Sequence, residues 1–100
     1  MSLSEVLHED RRLVILLCLT EVPAAQLNED VLRQGIIRVG HQVDRTDIRA
    51  DVQFLADHAL VRVEKLAMAS GELWVVHLLS AGDAVARGKP HPGVARPSLR

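Results

Sequence analysis

Four side chains between Asp44 and His58 have the types and spacing to read duplex DNA. Arg45 and Arg49 stand one helical turn apart, Thr46 lies beside them and Gln53 extends the row. A guanidinium pairs with guanine edges and phosphates, a carboxamide pairs with adenine, and a helix carrying both fits the major groove. Downstream, Arg62 and Lys65 are placed to hold phosphate. The same stretch carries Asp44, Asp47, Asp51 and Asp57, and a carboxylate facing phosphate is repelled. The competing expectation is therefore an ordinary solvated helix face. Asp44 and Asp47 have a structural reason at a helix start, where the positive end of the dipole favours carboxylates. Asp51 and Asp57 have none.

Other chemistries find less support. There is no Gly-rich phosphate loop, no nucleophile elbow and no H-E-x-x-H, so no catalytic residue is expected and the chain is not read as an enzyme. His8, His41, His58, His77 and His91 are scattered without ligand spacing, and Cys18 lies in an apolar run, so neither a metal nor a cofactor is expected. Leu66 and Met68 fall near the tip of an expected hairpin. Exposed there, they suit a protein partner better than DNA; folded back, they complete the core.

One hundred residues suit one domain, and 48% apolar with 25% charged residues describe a globular chain. Two large aromatics, Phe54 and Trp74, are too few for a surface that stacks single-stranded bases. The net charge of −1 hides an asymmetry. Arg87, Lys89, Arg96 and Arg100 follow Ala84 with no acid, while the preceding part has eight bases against thirteen acids. A DNA-binding domain usually concentrates its basic charge on the folded body. The apolar run Leu13–Leu19 is too short for a membrane helix, for which about 20 residues are needed. With no signal peptide and a single cysteine, the expected compartment is the bacterial host cytoplasm, without membrane contact.

The elements that position these residues follow from local patterns. Ser2 and Glu5 have capping-box spacing ahead of a helix apolar nearly all round, which Pro23 ends. Asn28 caps a second helix, with Leu27 and Leu32 as its staple, Leu32, Ile36 and Val39 on its inner face, and Gly40 closing it. Asp44 caps a third helix with Asp47 as acidic partner and Ile48, Val52, Leu55 and Ala59 as its seam. Leu60–Glu64 alternates like a strand, Ala69–Glu72 is turn-like, and Leu73–Leu78 reads as a second strand. Ser80 caps a short helix to about Arg87. The expected fold is mainly α (α+β): a winged helix-turn-helix with a three-helix core, a β-hairpin wing and a short C-terminal helix. Residues 1–88 form that domain, and 89–100 are a basic, Pro-containing tail that is extended or mobile.

Phe54-Leu55-Ala56-Asp57-His58-Ala59-Leu60-Val61 resembles the junction of a winged helix's third helix with its wing. Many such domains have Gly where Ala59 stands, so the expectation is that His58 takes the strained conformation. Asp10-Arg11-Arg12-Leu13, Leu27-Asn28, the run Leu78–Gly88 and the tail Pro92-Gly93-Val94-Ala95-Arg96-Pro97 make the whole chain similar to small winged-helix proteins of Mu-like transposable phages and prophages, often labelled ArsR-like. The resemblance implies a phage origin and a winged-helix fold, and it supplies no activity. ArsR relatives include metal sensors, but the clustered cysteines or paired histidines they use are not present here.

Two functions remain open. One is a DNA-binding transcriptional regulator acting by non-covalent binding, contacting double-stranded DNA through Arg45, Thr46, Arg49, Gln53, Arg62 and Lys65, as a homodimer joined by the first or the fourth helix. The other is a protein-interaction module for phage assembly or host-protein manipulation, with Leu66 and Met68 at the contact. Fold alone does not choose between them.

Overall fold

Ser2 starts the chain's longest helix, its hydroxyl accepting the Glu5 N–H at 3.2 Å. The structure is a computed structural model and describes residues 2–97. Helix α1 (Leu3–Thr20) buries Leu13, Val14, Ile15, Leu16 and Leu19, as its all-round apolar second half requires. Strand β1 (Gln26–Asn28) precedes α2 (Glu29–Arg38) and α3 (Arg45–Asp57). Strands β2 (Val61–Met68) and β3 (Gly71–Leu78) form a hairpin, and α4 (Ser80–Ala86) follows. The three strands make one antiparallel sheet in the order β1-β3-β2. Four helices with this sheet make an α+β architecture whose order is compatible with a winged helix.

The helix caps follow the sequence closely. Asn28 accepts the Val31 N–H at 3.0 Å. Asp44 and Asp47 form a reciprocal capping box, each carboxylate accepting the other's backbone N–H, at 2.9 and 3.0 Å. Ile48, Val52 and Leu55 are fully buried, as the seam requires. Gly35 allows the close approach of α2 to α1, since a Cβ there would stand 3.2 Å from Cys18 Sγ.

Five local expectations need correction. Gln26–Asn28 form a strand against Val75–His77, so Leu27 sits opposite Val76 in the sheet. Val39 is the C-cap of α2 and 51% exposed, because the helix has ended before it can turn inward. At the end of α3 the left-handed residue is Ala59 (φ 58°), not His58 (φ −97°). Ala59 N–H bonds Ala56 O and Leu60 N–H bonds Leu55 O, the same double closure that Gly40 and His41 make after α2. Ala59 is consequently exposed and outside the seam. Leu79 occupies the N-cap of α4 and Ser80 is its first residue, with no side-chain cap bond.

The fifth correction concerns the tail. Residues 90–95 fold back on the body instead of running free. Val94 is 5% exposed within the core, and Ala95 N–H bonds Glu9 O at 3.1 Å. Gly93 lies against Phe54, where a Cβ would meet the ring at 2.1 Å. Arg100, counted with the tail's basic charge, is outside the described residues.

Candidate nucleic-acid interface

The outer face of α3 is where DNA reading would reside. Its capping box fixes where the helix starts and its seam fixes its rotation, so the direction of each remaining side chain is set. Arg49 turns toward α2. Its Nε and Nη2 donate to the two carboxylate oxygens of Glu29 at 2.7 and 2.8 Å, and Nη2 also donates to Glu72 O at 3.0 Å. Arg45 is 55% exposed but donates to Asp30 at 3.0 Å and stands 3.7 Å from Glu29. Gln53 donates to Asp57 Oδ1 at 2.8 Å, one turn on. Thr46 is exposed. The two arginines that would read bases are therefore each engaged by a carboxylate of the neighbouring helix.

Glu29 organises this arrangement and carries no obvious mark in the sequence. It is 2% exposed and also accepts the Trp74 backbone N–H at 2.7 Å, joining α2, α3 and β3. Burial pushes its carboxyl upward, but the Arg49 hydrogen bond, the Trp74 N–H and the charges of Arg49 and Arg45 outweigh that, leaving it below the ordinary glutamate value. The bond to Glu29 raises Arg49 in turn.

Asp51 and Asp57 part company. Asp57 is exposed beside Gln53. Asp51 points inward and is fully buried. Arg11 Nε donates to it at 2.7 Å and Arg12 Nε at 3.3 Å, and His8 Nδ1 lies 3.0 Å away. Arg12 also donates to Gly93 O at 3.0 Å and stacks over Phe54, 3.6 Å from the ring centroid. Arg11-Arg12 and Pro92-Gly93-Val94, far apart in the chain, thus meet around one carboxylate and one ring. The available signal was position: Asp51 is three residues after Ile48 and four before Leu55, on the apolar seam itself.

The hairpin divides its residues between two faces. Lys65 lies toward the body, its Nζ 4.6 Å from the Trp74 ring, which Arg49 approaches from 4.8 Å. Arg62 is exposed near the hairpin's base, opposite His77. Leu66 and Met68, at 38% and 53% exposure, are not folded into the core. The tip they form is apolar.

A second feature escaped the sequence. The start of α1 and the folded tail enclose a groove of about 770 Å³, lined by Val6, Leu7, Pro90, Pro92, Val94 and Arg96 among others. Glu9, Asp10 and His91 line it too, and His91 packs edge-on to Phe54 and His58. Burial, and then the neighbouring His58, hold His91 below the ordinary histidine value.

Among the described residues no helix is long and apolar enough to cross a membrane. No family model matches the chain. It is 38% identical over 99 residues to protein gp26 of Escherichia phage Mu, covering 98% of each chain. It is also 32% identical over 66 residues to a protein of Haemophilus influenzae, covering 66% of this chain and 64% of that one. Both relatives are described as uncharacterized, so kinship supplies a setting without an activity. On the extent and identity of the first match, the chain belongs to the family of phage Mu gp26 and is a small protein of Mu-like phage origin.

Proposed function

We propose that this chain is a winged-helix protein-interaction module of a Mu-like phage, acting by non-covalent contact in the bacterial host cytoplasm, with no catalytic, cofactor or metal chemistry of its own. The observation that carries this reading is the engagement of Arg49 and Arg45 by Glu29 and Asp30. For Arg49 to contact phosphate it would have to leave a bidentate bond and strand a buried carboxylate beside another anion. That is unfavourable on both counts. The apolar wing tip of Leu66 and Met68 supports the same reading, because a wing that holds DNA offers cations there.

The second reading, a DNA-binding transcriptional regulator, draws on Thr46 and Arg62, which face solvent, and on the exposure of Arg45. Titration of generic duplex DNA at several salt concentrations separates the two. The interaction module shows no salt-dependent binding even at low salt. A steep loss of affinity with salt, reduced by Arg45→Ala and Arg62→Ala, would establish the regulator instead. In infected host cells, Leu66→Ser with Met68→Ser should release a co-purifying partner that Arg45→Ala retains.

A further inference from the structure

Strand β2 lies at an edge. In the order β1-β3-β2 it is paired along all eight of its residues, but on one side only. The ladder fixes which of its backbone groups face outward. Leu78 N–H bonds Ala25 O and Trp74 N–H bonds Glu29, so Trp74, Val76 and Leu78 turn their backbone away from β2. Leu73, Val75 and His77 alternate with them and turn theirs onto Leu66, Glu64 and Arg62 of β2. Val61, Val63, Lys65 and Ala67 are left with N–H and C=O directed away from the sheet. Among the described residues no hydrogen bond of the fold reaches these outward groups. Such a row of open donors and acceptors is a template for a further strand.

We propose that this strand is β2 of a second copy of the chain, paired antiparallel about a two-fold axis at Val63. Charge selects both the partner and the register. Opposite residues of an antiparallel pair share a face of the sheet, so the axis must fall on a residue. On Arg62, Glu64 or Lys65 it would set a charge against its own copy. Of the positions in β2, Val63 alone sets opposite charges together: Arg62 of each protomer meets the partner's Glu64, at two places. Both side chains are exposed and share the outer face with His77, which Glu64 contacts at 3.1 Å. Lys65, the remaining charge of the strand, lies on the other face over Trp74 and meets the partner's Val61, so no cation opposes a cation. Hydrogen bonding agrees with charge. Val63 exchanges N–H···O bonds with the partner's Val63, and Val61 with the partner's Lys65, which are the residues whose groups are open. A foreign strand could take the same backbone bonds, but this chain itself carries the reciprocal charges, as an isologous contact requires. The wing-tip contact uses the side chains of Leu66 and Met68 and the ladder uses the backbone of residues 61–65, so the two can operate together and fail separately.

Sedimentation equilibrium and amide exchange of the full chain test this. The wild type should be dimeric at about 300 µM. Exchange at Val61, Val63 and Lys65 should slow by about threefold or more between about 20 µM and about 300 µM, while Arg62 and Glu64, already bonded within the hairpin, stay constant. Lys65→Pro removes an outward N–H and puts a ring in its place, which an edge strand tolerates and a ladder does not. Association should weaken by about a hundredfold, with the circular dichroism of the monomer retained. Arg62→Glu or Glu64→Arg alone should weaken the dimer by about tenfold, and the two together should restore it. A wild type monomeric at about 300 µM overturns the proposal, whether or not another protein's strand can take the edge. So does a dimer whose exchange at Val61, Val63 and Lys65 is independent of concentration, or one that the charge swap fails to restore.

Discussion

Asp51→Asn removes the charge at the centre of the α1–α3 contact while keeping the volume of the side chain. In the native protein that carboxylate is fully buried and is approached by Arg11, Arg12 and His8. The consequences for the three partners differ. Arg12 is partly exposed and keeps Gly93 O and the Phe54 ring, and His8 is 38% exposed, so both retain alternatives. Arg11 is 8% exposed, and its remaining contact, His8 Nδ1 at 2.7 Å from Nη2, supplies no negative charge, so it is left as a buried cation. Removing one partner of a buried ion pair costs about 3–5 kcal/mol. With one stranded charge rather than three, the lower end applies, about 3 kcal/mol. A small domain has only about 5–15 kcal/mol of stability, so the loss is a large share of it. In urea, with a slope of about 1–3 kcal/mol/M, the unfolding midpoint should fall by about 1–3 M. The control is Asp51→Leu combined with Arg11→Met, which removes both charges and should recover most of the loss, because an apolar pair of similar size replaces a buried ion pair at little cost. If Asp51→Asn costs less than about 1 kcal/mol, or the double variant is as unstable as the single one, Asp51 is not neutralising a buried charge and the account of this contact fails.

Three further outcomes follow from the same geometry. Gly93→Ala should undock the tail, because the new methyl would overlap the Phe54 ring already bracketed by Arg12 and His58; faster amide exchange at Ala95, which bonds Glu9 O, reads it out. His91 is held below the ordinary histidine value chiefly by burial and then by His58, so the undocked tail binds the proton more readily. Docking strength is then full above the ordinary histidine pKa and is lost as pH falls through it toward the depressed value; Ala95 protection that stays constant between about pH 8 and about pH 5.5 would contradict this. Glu29 is depressed despite its burial, so its contribution is full above the ordinary carboxylate range and is lost as pH falls through the depressed value. Acid unfolding of Glu29→Gln should accordingly have a flatter pH dependence than the wild type, on a lower plateau near neutrality.

What could be read from the sequence was whatever a few neighbouring residues decide. The Asp44–Asp47 box and the Asn28 cap are closed within four residues, so residue type and spacing suffice. Strand β1 was invisible because three residues carry no period and its pairing comes from β3, some fifty positions on. Ala59 was missed because alanine gives no left-handed signal; the double closure onto Ala56 and Leu55 imposes that conformation. The candidate site is only partly legible for a related reason. Arg45 and Arg49 were correctly placed on one helix, but what they touch belongs to α2, fifteen to twenty residues earlier. The docking of the tail is not legible because its anchors, Arg12 and Phe54, meet it only after folding.

Glu29 and Asp51 share a logic that bears on function. Each is a buried acid set on a helix start or seam, and each draws arginines onto the body from a neighbouring helix. Arg11 and Arg12 are taken by Asp51, Arg49 by Glu29, and Arg45 is shared between Glu29 and Asp30. These four are a third of the chain's twelve basic residues, and they include both cations on α3. Affinity for duplex DNA grows with the number of cations free to replace counterions at phosphates. A protein that commits these four arginines to its own carboxylates has used positive charge to fix the relative positions of its helices, and at the hairpin tip it leaves the apolar Leu66 and Met68 exposed. That division of labour, cations for architecture and aliphatic side chains for contact, is the arrangement expected of a surface that recognises protein.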